Sequence, residues 1–291
     1  MIAVTDTSNT SVDLAKAVTT LPPLPATAQQ ILTCFGDEFI DVERVAAVVE
    51  GDAGICAKLL GLANSAYFGL SEPVNDMSEA ISRVLGVDTV RSLVLAMAIQ
   101  HTFNSKNCSA FDVERFWRVS LLTAECCKKI AACDELAEDP ERDLAYSAGL
   151  CHNLGLMALT HIEPDRSCQV LMHNDEDVKA GSLSHWLFEE FQSNHKMMTA
   201  ELARLWSLPA PMVAAYHYRA FPETQCDDRL GLVVTAAVAA VQNSALPNEL
   251  HADLSPWSEL LGLSAEEIQR LAVVGDREKD RVQSLAGRLT H

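Results

Sequence analysis

The residues best equipped for chemistry in this chain of 291 amino acids cluster in one short string, Ala148-Gly149-Leu150-Cys151-His152-Asn153-Leu154-Gly155. A cysteine beside a histidine suggests a thiol nucleophile with its base. On a helix, however, adjacent side chains diverge by about 100°, so Cys151 and His152 do not face one another. No serine–histidine–aspartate arrangement, phosphate loop or Gly-x-Gly-x-x-Gly turn occurs. The nine cysteines are odd in number and form no Cys-x-x-Cys pair, so they read as buried free thiols, not as disulfides or a zinc site. A second distinctive string is Asn64-Ser65-Ala66-Tyr67-Phe68-Gly69. With Arg91 further on, Asn64 and Tyr67 could form a binding surface. The simpler alternative is a helix end, with Gly69 as its stop and Asn64 bonding nearby backbone.

The elements that must hold these residues are helical. Leu21-Pro22-Pro23-Leu24-Pro25 enforces an extended approach, because each proline fixes φ and disfavours helix in the residue before it. Val42, Val45, Ala46 and Val49 then repeat at helical spacing behind Asp41, and Ile55, Leu59, Leu62 and Ala66 do so behind Asp52. Asp76 and Glu79 precede a third helix that Gly86 stops, and Asp88 opens a fourth. That one is apolar on most sides and should be central. Residues 104–111 read as a loop between two helical halves. A long helix follows from Asp112, then one helix from Leu144 to Leu159, and further patterns at 182–191, 195–206, 210–218, 227–243 and 265–285. Ser264 and Glu267 have the spacing of a capping box. No series of alternating strands is visible. The expected fold is all-α, with two packed helical subdomains. The expected organisation is a polar leader (1–20), an N-terminal half (21–108), a second half (109–245) and a helical tail (246–291), whose apolar face docks on the body or on a partner.

Taken together, several of these strings resemble the HDOD domain family. They are Leu21-Pro22-Pro23-Leu24-Pro25, Leu62 to Leu70, Pro73-Val74, Ala80-Ile81, Leu85-Gly86, Val90-Arg91, Phe116-Trp117-Arg118-Val119-Ser120, Ala148 to Gly155 and Trp206-Ser207-Leu208-Pro209. Any one is weak, but their order and distances match over roughly residues 20 to 240. The resemblance implies a second half similar to the helical bundle of HD metal-dependent phosphohydrolases, in a family regarded as non-catalytic and active in bacterial signalling. It also frames the metal question. HD-type hydrolysis uses histidines plus an aspartate beside one of them, because the carboxylate supplies charge and the metal acidifies a bound water. Here the dipeptide is His152-Asn153, which offers a neutral carbonyl oxygen instead, and Val119 stands where relatives often carry histidine. His195 and His217 fall where the pattern would want them. So His152, His195 and His217 could converge, with Asn153, as a vestigial pocket and as the ligands of any metal that binds. Glu189, Glu190 or Glu201 could replace the missing carboxylate, although each is more simply a solvent-facing residue. The expectation is no cofactor, no metal and no catalytic residue. Tyr218 to Pro222 faintly echoes a Gly-Tyr-Pro motif of cyclic-di-GMP phosphodiesterases and reads as a helix end.

Charge narrows the partners. A formal net charge of -18 repels phosphate backbones and anionic membranes, so neither nucleic acid nor membrane is an expected partner. The start of the chain lacks a signal-peptide pattern, and the longest apolar run, Leu232 to Val241, is too short to cross a bilayer. The functional expectation is a cytoplasmic regulator that binds a signalling protein, with a nucleotide as a possible further ligand. The alternative is a metal-dependent phosphohydrolase acting on a nucleotide or cyclic dinucleotide.

Overall fold

In the computed structural model, residues 20–35, 41–65, 68, 70–133, 141–176, 182–221, 228–244, 251–273 and 276–290 are described, and no strand occurs among them. The chain is all-α. The first half begins with α1 (Ala26–Thr33), which starts directly after the extended Pro25. Two aspartates then start helices as N-caps. Asp41 accepts from Glu43 N ahead of α2 (Val42–Glu50), and Asp52 accepts from Gly54 N and Ile55 N ahead of α3 (Ala53–Ala63). Asp76 caps α4 (Met77–Ala80) by accepting from Glu79 N at 2.7 Å. The Glu79 carboxylate pairs with Arg83 instead of closing a capping box. A π-helical turn, Ile81–Leu85, continues α4 and stops at Gly86, whose φ of 80° is a conformation that suits glycine.

From Gly86 the chain enters α5 (Val87–Gln100), which is buried at every residue from Thr89 to Ile99. This is the central helix expected from its all-round apolar character. It packs on α1, α2 and α3 and also on the second half, so one hydrophobic core runs through both halves. The connecting segment contains a short 3-10 turn, Ser105–Asn107. The second half comprises α6 (Val113–Cys133), α7 (Glu141–Cys151), α8 (Leu154–Ile162), α9 (Pro164–Glu176), α10 (Ser182–Phe191), α11 (His195–Leu205), α12 (Ala210–Ala220) and α13 (Arg229–Asn243). The tail adds α14 (Ser255–Leu261), α15 (Ala265–Ala272) and α16 (Asp276–Thr290).

Two expectations about elements are corrected, and three helices are unforeseen. The helix expected from Leu144 to Leu159 is two, α7 and α8, interrupted at His152 and Asn153. The one expected over 265–285 is also two, because Val273 is extended (ψ 120°) and ends α15. Helices α1, α9 and α14 have no clear signature in the sequence pattern. They begin at or beside prolines, and α9 is mostly polar. The capping box at Ser264 and Glu267 is present in full. The tail docks on the body. α15 and α16 lie on α6, α15 also on α13, and α16 reaches α3 in the first half. Val282, Leu285, Ala286 and Leu289 supply the buried face of α16.

Candidate functional site

The break between α7 and α8 builds the site. α7 approaches α6 so closely that a Cβ on Gly149 would sit 2.7 Å from Ala124 Cα and 2.8 Å from Cys127 Sγ. α8 approaches α11 as tightly, since a Cβ on Gly155 would overlap the His195 carbonyl oxygen and lie 2.5 Å from Thr199 N. The Gly155 amide donates to Thr199 Oγ1 at 2.9 Å, which ties the start of α8 to α11. The two close approaches flank the break, whose residues are His152 and Asn153.

His152 and His195 are both buried. His152 Nδ1–H donates to the Gly149 carbonyl at 2.7 Å, which leaves the lone pair on Nε2. This is the tautomer a metal-binding imidazole adopts when backbone orients it. Burial, with help from the nearby Arg219 charge, pulls the His152 pKa down to about 3. Burial also holds His195 well below the ordinary value, and Lys196, Arg219 and His152 add to the effect. His195 Nδ1 and Asn153 Oδ1 are buried without a hydrogen-bond partner among the described residues.

Arg219 is the residue that sequence reasoning missed. It lies on the inward face of α12 with Met212, Ala215 and Tyr216, and its Nη1 donates to the His152 carbonyl at 2.9 Å. Among the described residues no carboxylate pairs with it, and its Nε is buried without a partner. Burial lowers its pKa to about 10, and it remains a cation at neutral pH. Beside it, burial and the Arg219 charge bring Lys196 down to about 8. Tyr216 anchors the same face by donating its hydroxyl to the Ala148 carbonyl at 3.0 Å. The signal was available: residues 212, 215, 216 and 219 follow helical spacing, which puts the arginine on the apolar stripe.

The expected three-histidine convergence is corrected. The structure brings His152, Asn153 and His195 to one region, but His217 lies on the exposed side of α12, its ring against Phe221 with centroids 5.0 Å apart. It follows Tyr216 by one residue, so helix geometry turns it away from the face that holds Arg219. The three glutamates do not replace the missing carboxylate. Glu190 pairs with Arg166, Glu201 pairs with Arg204, and Glu189 is exposed. Among the described residues no group of three or more His, Cys, Asp or Glu is placed to hold a metal ion. The residues present therefore do not fit a divalent cation. Its position would face a fixed guanidinium, and among the described residues no anionic oxygen donor joins it.

The possible surface formed by Asn64, Tyr67 and Arg91 is corrected too, and the simpler reading of Asn64 at a helix end, bonding nearby backbone, agrees with the structure. Arg91 is buried, donates to the Cys34 carbonyl at 2.7 Å, pairs with Asp88 and lies 4.8 Å over the Phe35 ring. It fastens the end of α1 to α5. Asn64 caps α3 and spends both ends of its amide on Val74, at 2.8 Å each. Tyr67 lies outside the described residues. An exposed concavity lies elsewhere. Leu21 to Leu24, α1, Leu205 and Trp206 line a groove of about 770 Å³ along the seam between the halves. No helix among the described residues is long and apolar enough to cross a membrane.

Comparison with known proteins agrees with this architecture. The pattern of the HDOD domain matches residues 21–222. An uncharacterised protein of Treponema pallidum (strain Nichols) is 23% identical over 272 residues, which is 92% of this chain and 50% of that protein. Among solved structures, a Marinobacter aquaeolei VT8 protein provisionally named for signal transduction superposes with a TM-score of 0.81 at 22% identity, over 96% of this chain and 65% of that one. A Shewanella amazonensis SB2B protein provisionally named a phosphohydrolase gives 0.71 at 21% identity, over 97% and 99%. An HDOD domain protein of unknown function from Geobacter sulfurreducens gives 0.66 at 21%, over 95% and 94%. The chain thus spans half the length of its Treponema relative and about two thirds of the Marinobacter chain, and these likenesses show a shared fold.

Proposed function

The chain belongs to the HDOD family, and from that premise we propose that it is a non-catalytic regulatory module of bacterial signal transduction that acts by binding a protein partner. One observation carries this reading. The guanidinium of Arg219, donating to the His152 carbonyl, gives the core beside the histidines a permanent positive charge. Hydrolysis of the HD type needs a divalent cation and a carboxylate to create hydroxide near neutrality. A fixed cation with Asn153 in the acidic position supplies neither. The seam groove lined by Leu21, Leu24, Leu205 and Trp206 offers a partly apolar surface for a partner. The free thiols of the eight described cysteines suit the reducing cytoplasm, where we place the protein.

Two measurements together test the proposal. The purified chain, incubated with magnesium, manganese or zinc and with nucleoside triphosphates or cyclic dinucleotides, should release no product above the metal-only background. Crosslinking in extract followed by capture should give one defined partner, whose binding is lost in Leu205→Glu. Metal-dependent turnover that disappears in His152→Ala would overturn the proposal.

A further inference from the structure

Away from the histidines, two cysteines meet where the connecting segment crosses α9. Residues 108–111 form a turn closed by the Phe111 amide on the Cys108 carbonyl at 3.1 Å. The turn presents its donors to Cys168, on the first half of α9. The Ala110 amide reaches Cys168 Sγ at 3.3 Å and the Ser109 hydroxyl lies 3.6 Å away. The Cys108 side chain neighbours that sulfur and interacts with it. Cys168 is partly exposed, whereas Cys108 is buried beneath the turn. A backbone amide and a hydroxyl aimed at one sulfur favour its thiolate.

We propose that Cys168 and Cys108 are a peroxide-oxidisable thiol pair, which closes to a disulfide between α9 and the connecting turn. The Cys168 thiolate attacks one oxygen of a hydroperoxide. A sulfur–oxygen bond forms, the oxygen–oxygen bond breaks, and the departing alkoxide or hydroxide takes a proton and leaves as alcohol or water. The Cys108 sulfur then attacks the resulting sulfenic acid. A sulfur–sulfur bond forms, the sulfur–oxygen bond breaks, and the lost hydroxide leaves as water with the Cys108 proton. Both sulfurs are oxidised and the peroxide is reduced.

The division of roles follows from the surroundings. Partial burial raises the Cys168 thiol, but the hydrogen bonds from Ala110, Ser109 and Cys108 together outweigh it, and its pKa falls below the ordinary thiol value. Burial, and then its hydrogen bond to Cys168, push Cys108 up to about 11. The first sulfur is therefore the attacking one and the second the resolving one. Cys126, Cys127 and Cys151 are raised, chiefly by burial.

The full-length chain tests this directly. At neutral pH, Cys168 should react with iodoacetamide about tenfold faster than the exposed Cys133, because the Ala110 amide and the Ser109 hydroxyl stabilise its thiolate. Ser109→Ala should slow that reaction severalfold while leaving Cys133 unchanged. After limiting hydrogen peroxide, peptide mapping should find the Cys108–Cys168 link before any other cysteine oxidation. In Cys108→Ser, Cys168 should instead be captured by dimedone as its sulfenic acid. Equal alkylation rates at Cys168 and Cys133, or oxidation that reaches other cysteines first, would overturn the proposal.

Discussion

At residue scale, histidines kept neutral by burial make the protein sensitive to acid. His152 has a folded pKa near 3 and His195 one well below normal, while both titrate near 6.5 in the unfolded chain. Above that value neither state binds the protons, and stability is complete. As pH falls through about 6.5 the unfolded chain takes up protons that the folded chain refuses, so stability is lost, and the loss continues down to the folded values. Two such histidines should remove about 3 kcal/mol between pH 8 and pH 5.5. Urea unfolding across that range would measure it. Arg219→Met should end the loss at a higher pH when the titration is extended below pH 5, because the Arg219 charge helps to hold both folded values down. A loss that continues to the same pH in that variant would show that burial alone sets those values. The same residues mark the limit of sequence reading. His152 and Asn153 are recognisable as a hydrolase dipeptide without its acid. Histidine draws attention as a ligand and arginine does not, so the sequence motif puts His217 in the pocket that Arg219 occupies. The helical spacing of Met212, Ala215 and Tyr216 argues for the opposite choice.

At the scale of elements, aspartate caps and apolar periodicity make most helices legible in the sequence. Capping chemistry and burial are local, and Asp41, Asp52 and Ser264 each cap the expected helix. What is not legible is set by distant neighbours. Nothing in the run from Leu144 to Leu159 breaks helical periodicity. The interruption at Asn153 answers to two contacts, with α6 at Gly149 and with α11 at Gly155. These glycines permit backbone-to-backbone approach that no side chain allows, which gives a specific expectation. Gly155→Ala would force the start of α8 away from His195 and Thr199 and should destabilise the fold by about 3 kcal/mol, the upper range for overpacking. Denaturant titration would read this, with the loss of the Gly155–Thr199 hydrogen bond visible as faster amide exchange at residue 155. A wild-type midpoint would mean that α8 and α11 have room to separate.

At the scale of the whole molecule, the tail and α5 decide how independent the halves can be. α16 crosses from α6 to α3, and the Gln283 amide bonds Glu114 at the start of α6. A Cβ on Gly61 of α3 would come within 2.7 Å of Arg288 Nη1, so the tail lies close on the first half as well. The connecting segment is held on the second half. The Asn104 amide donates to His161 Nδ1 at 3.0 Å, and Phe103 packs between the His161 and Trp206 rings. The all-α architecture and the existence of two helical units can be inferred from the sequence. Their sharing of one core through α5 depends on long-range packing that periodicity only hints at.

That helix has a practical corollary. Because no face of α5 is left over for water, covalent continuity at residues 104–107 is not what keeps the two pieces in register. A protease nick or a genetic split there should yield fragments that copurify and melt in a single transition, whereas the leading fragment made without its counterpart should aggregate. Reporter halves fused at the cut would then come together without any added dimeriser, and failure of the fragments to find one another would show that the peptide link, not the greasy helix, does the holding.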